Sequence, residues 1–146
     1  MIAIAMRTIA YGPVGCRPVG TQEIAREFID LAGGFTQVVT VSDQGVKTIY
    51  VSGQVGQGDG LAEQSRSVLA AVARRLEAAG ATPADLVKLN IYMADYSPED
   101  AAVLAAAQRN GFPDETLPAT TLIGVESPYS DTALIEIEGV AVVPGR

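Results

Sequence analysis

A chain of 146 residues, 48% hydrophobic and 18% charged, has the size and balance of one globular domain that needs no disulfide staple. Its formal net charge of −7, with ten scattered basic residues, disfavours nucleic-acid partners, which draw most of their affinity from clustered Lys and Arg on phosphate. With no histidine and one cysteine, it cannot build a Ser-His-Asp or Cys-His device, and no transition-metal site is expected.

The first residues, MIAIAMRTIAYGPVGC, have no basic region ahead of their apolar stretch, which Arg7 interrupts early, so no cleaved export signal is expected. Apolar runs throughout fall far short of the roughly 20 residues of a membrane span, so no membrane partner is expected. A lone Cys16 suits a reducing compartment, and a cytoplasmic location is the expectation. TQEIAREFIDLA (21–32) spaces Ile24, Phe28 and Leu31 along one helical face, with Thr21 as N-cap and Gly33 as stop. This predicts a short helix in an N-terminal extension, residues 1–34, ahead of a main domain, residues 35–146.

FTQVVTVS (35–42) and VKTIYVSG (46–53) are β-branched runs joined by Asp43-Gln44-Gly45, the spacing of a hairpin with Gly45 at positive φ. QVGQGDG (54–60) is glycine-rich but matches neither phosphate-binding fingerprint, which reads as a flexible connection. Residues 61–79 form the clearest helix. Leu61, Ser65, Val68, Leu69, Val72 and Leu76 make one stripe, Gln64, Arg66, Arg74 and Glu77 occupy other faces, and Gly80 ends it. Thr82-Pro83-Ala84-Asp85 is a cap-like turn before the alternating strand LVKLNIYM (86–93). Ser97-Pro98-Glu99-Asp100 repeats the helix-start signal, and that helix runs to about Asn110 before Gly111. LPATTLIGVE (117–126) and TALIEIEGVAV (132–142) are two further strands, separated by the turn-like SPYSD.

The resulting order, β-β-α-β-α-β-β after the extension, predicts an α+β domain of two layers, helices against one sheet. Alternation directs Ile135 and Ile137 at the helices and Glu136 and Glu138 at the opposite face. The apolar companions Val140 and Val142 on that second face suggest an oligomer.

Three separated motifs, YVSGQVG at 50–56, AAGATPADLVKLNIYMAD at 78–95, and PATTLIGV with IEIEGVAV near the end, resemble the RidA/YjgF (L-PSP endoribonuclease-like) family. The resemblance covers roughly residues 35–143 in the family's element order. It implies a chorismate-mutase-like fold and a homotrimer with sheets packed around the central axis. A small-molecule metabolite would bind in each intersubunit cleft. The implied activity is hydrolysis of reactive enamines and imines to carbonyl compounds and ammonia, with neither metal nor organic cofactor.

Carried over position by position, the resemblance implies Glu136 as the catalytic carboxylate and Ser52 as the serine of the SGQ motif. Phe35 stands where the family commonly has tyrosine. Where deaminating members read Pro-x-Arg-[ST], this chain reads Pro118-Ala119-Thr120-Thr121, so Thr120 replaces the guanidinium that holds the substrate carboxylate. One neutral hydroxyl for a planar fork weakens carboxylate recognition by two to three or more decades, on the order of 1.5–3 kcal/mol per charge-assisted bond. Arg17 and Arg26 are conceivable replacement cations.

Each candidate also has a plain reading. Glu136 can be a solvated strand carboxylate, Ser52 a turn residue, and Phe35 part of the core. Thr120 and Thr121 can be ordinary strand formers, and Glu138 is read as a structural or rim charge. Three functions stay open: a divergent enamine/imine deaminase using Glu136, with Phe35, Ser52, Thr120 and Thr121 binding substrate; a non-catalytic trimeric binding protein using the same cleft; and RNA cleavage, which the acidic balance and absent histidines make least attractive.

Overall fold

The computed structural model describes residues 23–112 and 117–145. Cys16, Arg17 and the expected cap Thr21 lie outside them. The strands are β1 (Ala25–Ala32), β2 (Phe35–Asp43), β3 (Val46–Val55), β4 (Leu86–Ala94), β5 (Ala119–Val125) and β6 (Ile135–Pro144). Helix α1 (Gly60–Ala78) follows β3, and α2 (Asp100–Gly111) follows β4. The sheet order is β1-β2-β3-β6-β4-β5, antiparallel except for the parallel β4–β5 pair. Helix α1 packs on β3 and β6, with α2 beside it, which is the expected two-layer α+β arrangement. No helix among the described residues is long and apolar enough to cross a membrane.

The first element corrects the sequence reading. Residues 25–32 are a strand, not the tail of a helix, and they extend the same sheet across the expected 34/35 boundary. Gly33 (φ 61°) and Gly34 (φ 88°) supply the two positive φ angles of a tight hairpin turn, and Ala32 pairs with Phe35 across it. The glycine read as a helix stop is half of a turn. The spacing of Ile24, Phe28 and Leu31 misleads because it marks no buried face: on edge strand β1 only Ile29 packs partly against the core, and these three side chains are 44%, 67% and 79% exposed. A second two-residue turn, Gln44 (φ 48°) and Gly45 (φ 77°), joins β2 to β3 as the sequence predicts.

The remaining elements follow their local signals. Helix α1 ends in a Schellman motif: the Ala81 N–H donates to Leu76 O and the Gly80 N–H to Glu77 O, both at 2.9 Å. Before α2, the Ser97 N–H and hydroxyl both donate to Asp100 Oδ2, so that start signal shapes a turn and the helix begins three residues later than its first residue. The core between the layers holds Ile49, Val68, Val72, Leu76, Leu89, Ile91, Ile135 and Ile137, none more than 1% exposed. Each fully buried aliphatic side chain contributes about 1.5–3 kcal/mol. Gln64 departs from its expected outer face: it is buried at 4% exposure.

Among the described residues, no layer covers the opposite face of the sheet. Register aligns Val39, Tyr50, Val140 and Lys88 in one cross-strand row, with Glu136 beside Tyr92 and Glu138 beside Asn90 in others. Tyr50 and Val142 are exposed there.

Candidate functional site

A fault in the β3–β6 ladder shapes the site. Regular pairing reaches Val51↔Gly139 and resumes at Gln54↔Ile137, so Ser52 and Gly53 together oppose Glu138. Such a β-bulge bends the strand and re-aims its side chains. Gln54 consequently turns inward and is buried at 7% exposure. Its Nε2 donates to Gln37 Oε1 at 2.8 Å and to Ser52 O at 2.9 Å, which fixes which end of the amide points where.

Glu136, near the start of β6, lies against the bulge. A β-carbon built on Gly53 would fall on Glu136 Oε1 and 2.9 Å from its Cδ, so only glycine lets the carboxylate rest there. The Tyr129 N–H donates to Oε2 at 3.2 Å and pins the other oxygen. Ser52 Oγ donates to Thr36 O at 2.7 Å, so its proton is committed and its lone pairs remain for a ligand donor.

These groups line one open cleft of about 850 Å³. Phe35, Ser52 and Glu136, predicted from sequence, meet there with Gln37, Gln54, Arg75 and Tyr129. The glycine-rich segment forms a wall and is not a loose connection. The Gln57 N–H donates to Ser67 Oγ at 2.7 Å, Ser67 Oγ donates back to Gln57 O at 2.8 Å, and the Asp59 N–H donates to Glu63 Oε2 at 2.9 Å. Buried Gln64 fastens the far side: Nε2 donates to Gly58 O and Thr132 O, and Oε1 accepts from the Leu134 N–H at 2.8 Å.

Thr120 and Thr121 are elsewhere. On β5 they pair with Leu89 and Asn90, so β4 stands between them and Glu136. Thr120 Oγ1 donates to Pro118 O at 3.0 Å, and Lys88 Nζ donates to Thr121 Oγ1. Both are exposed and neither lines the cleft of its own chain. Arg26 pairs with Val41 on β1 and is also outside that lining. Sequence reading missed Gly53 and Arg75. A glycine inside a strand is a signal for a bulge or close approach, and Arg75 lies three residues after Val72, at the border of the buried stripe.

Beside the cleft, Glu138 Oε1 accepts from Asn90 Nδ2 at 2.8 Å and from Tyr92 Oη at 3.0 Å. That hydrogen bond holds the Tyr92 phenol above its ordinary pKa of 10.0, with burial and the charges of Glu138 and Glu136 acting in the same direction. Because the folded pKa is raised, the stabilisation is complete below pH 10 and is lost as pH climbs through the raised value. Glu138→Gln should lower the Tyr92 pKa towards the ordinary range, measured by NMR titration of its labelled Cζ. An unchanged titration would mean that Glu138 does not set it.

Residues 26–143 match the family model described as endoribonuclease L-PSP. The chain belongs to the Rid/YjgF/L-PSP family. Solved Rid-family structures share its fold. A YjgF/YER057c/UK114 family member from Mycobacterium tuberculosis is 26% identical, with a TM-score of 0.70 over 82% of this chain and 100% of that one. The Rid protein YyfB of Yersinia pestis, of unknown function, is 30% identical, with a TM-score of 0.63 over 81% and 98%. RidA from an Antarctic Psychrobacter is 26% identical, with a TM-score of 0.66 over 78% and 92%. No curated protein matches the chain. Among the described residues, no three His, Cys, Asp or Glu side chains group as metal ligands.

Proposed function

We propose that the protein is a divergent, metal-independent enamine/imine deaminase of the Rid family, cytoplasmic and homotrimeric, with Glu136 as its catalytic group. The observation that carries this reading is the seating of Glu136: a carboxylate laid on Gly53, held by the Tyr129 N–H, in a cleft with Ser52 and Phe35. A carboxylate so fixed can serve as base and then acid. Glu136 takes a proton from water as the oxygen attacks the C=N carbon, and the imine nitrogen takes up a proton. Glu136 returns its proton to the nitrogen as the carbinolamine collapses to carbonyl and ammonia, and the hydroxyl proton leaves to solvent, replacing the one the nitrogen first took from it. An enamine enters the same sequence after protonation at carbon. Ser52, with its own proton committed to Thr36 O, accepts from the substrate N–H or from the attacking water. The sheet face with Tyr50, Val140 and Val142, which no described residue covers, supports the trimer.

The test is ammonia release from imines generated in situ by an amino-acid oxidase. The protein should accelerate release over buffer, and Glu136→Gln should remove about 10²–10⁴ of that acceleration. One observation favours a second reading, a non-catalytic trimeric protein that binds a small molecule in the cleft: Thr120, where the resemblance places a guanidinium, spends its hydroxyl on Pro118 O. No acceleration across imines of varied side chain would decide for that reading.

A further inference from the structure

The cleft contains one cation that the sequence reading did not assign, Arg75 of α1. Its guanidinium is held from two directions. Nε donates to Gln54 Oε1 at 3.1 Å, and Nη1 donates to Asp30 Oδ2 at 2.7 Å. The first contact orients the group, because Gln54 is buried and its amide is fixed by Gln37 and Ser52 O. Nη2 makes no hydrogen bond to a described residue, so part of the planar fork remains to be used.

The second contact has another character. Asp30 adopts a left-handed backbone (φ 57°), which costs any residue but glycine free energy, and drops out of the pairing between Ile29↔Val38 and Leu31↔Thr36. What that departure delivers is a carboxylate on Arg75. The pair is open to water, with side-chain exposures of 51% for Asp30 and 30% for Arg75. An exposed ion pair is weak and exchangeable, so a second carboxylate can take its place.

We propose that Arg75 is the ligand-anchoring cation of this cleft and that Asp30 is an internal carboxylate that occupies it until a small organic carboxylate arrives. Charge fixes the ligand's direction. The negative Glu136 repels the ligand carboxylate and the positive Arg75 attracts it, so the ligand carries its carboxylate to Arg75 and turns the rest of its skeleton to the Glu136 side. The half-exposed ring of Phe35 offers an apolar wall for a short hydrocarbon chain. The ligand class is therefore a small monocarboxylate with an apolar side chain. Its assignment as a reacting imine rests on the function proposed above; the binding claim does not.

The test is titration of the full chain with butyrate and its neutral isostere butyramide, followed by calorimetry or ligand-observed NMR. The expected result is tighter binding of butyrate. Arg75→Gln should weaken butyrate by about tenfold or more and leave butyramide unchanged. Asp30→Asn removes the same ion pair yet should tighten butyrate several-fold, since nothing has to be displaced; a purely structural pair predicts no gain. Equal affinity for the two probes, or a preference unmoved by both variants, overturns the proposal. Arg75-dependent butyrate binding without hydrolysis of any imine retains it and removes the deaminase reading. Hydrolysis of carboxylated imines with a KM indifferent to Arg75→Gln does the reverse.

Discussion

Gly53→Ala should abolish the proposed imine hydrolysis as thoroughly as Glu136→Gln, by about two to four powers of ten, in a protein that still folds. The added methyl occupies the place of Glu136 Oε1, and the carboxylate is the flexible end of a long side chain, so it swings away at small cost to the fold. Gly53 is not in the left-handed region, so alanine meets no backbone penalty there. Displacement also breaks the hydrogen bond from the Tyr129 N–H to Oε2. The Tyr129 amide resonance should therefore shift in Gly53→Ala much as it does in Glu136→Gln. Wild-type turnover in Gly53→Ala would show that the seat of Glu136 on the bulge is irrelevant to the chemistry.

The largest loss of stability should come from Gln64→Leu. The side chain matches leucine roughly in size, but three hydrogen bonds vanish: two to the carbonyls of Gly58 and Thr132, one from the Leu134 N–H. Backbone groups left unpaired near the core cost about 1–3 kcal/mol each, partly recovered by water at the cleft edge. A net loss of about 2–4 kcal/mol corresponds to roughly 5–15 °C in Tm for a domain of this size. Calorimetry of the variant checks it. The same substitution releases the segment that carries Tyr129 towards Glu136, so the cleft should loosen along with the fold. A Tm within about 2 °C of wild type would mean that Gln64 is not the clamp its contacts describe.

The parts of the fold legible in the sequence were those with a buried face or a local stop signal. The stripe through Val68, Val72 and Leu76, the alternation at Ile135 and Ile137, and Gly80 all read correctly, because each encodes its environment within a few residues. Strand β1 was not legible, since an exposed edge strand carries no alternation and its one clear signal, Gly33-Gly34, serves equally as a helix stop. The site divided along the same line. Glu136 and Ser52 followed from motif resemblance, and Phe35 from position. Gly53, Gln54 and Arg75 depend on the bulge, where an extra residue shifts the strand's parity, and no count of alternating residues anticipates that shift. Gln64 looks like a surface residue to a hydrophobicity pattern, because its burial is repaid through hydrogen bonds and not through apolar contact.

The place of β6 in the sheet has a consequence for how the molecule is made. It is the last of the described strands in sequence but lies in the middle of the order, between β3 and β4. Until it enters, β1, β2 and β3 form one ribbon, β4 and β5 another, and no ladder joins them. During synthesis the two half-sheets therefore keep open edges until β6 has emerged, and long-range closure of this kind is slow. Glu136 travels on that closing strand. The cleft receives its carboxylate only in the step that completes the sheet, so a nascent or truncated chain that lacks β6 can form part of the lining but has no Glu136 in it.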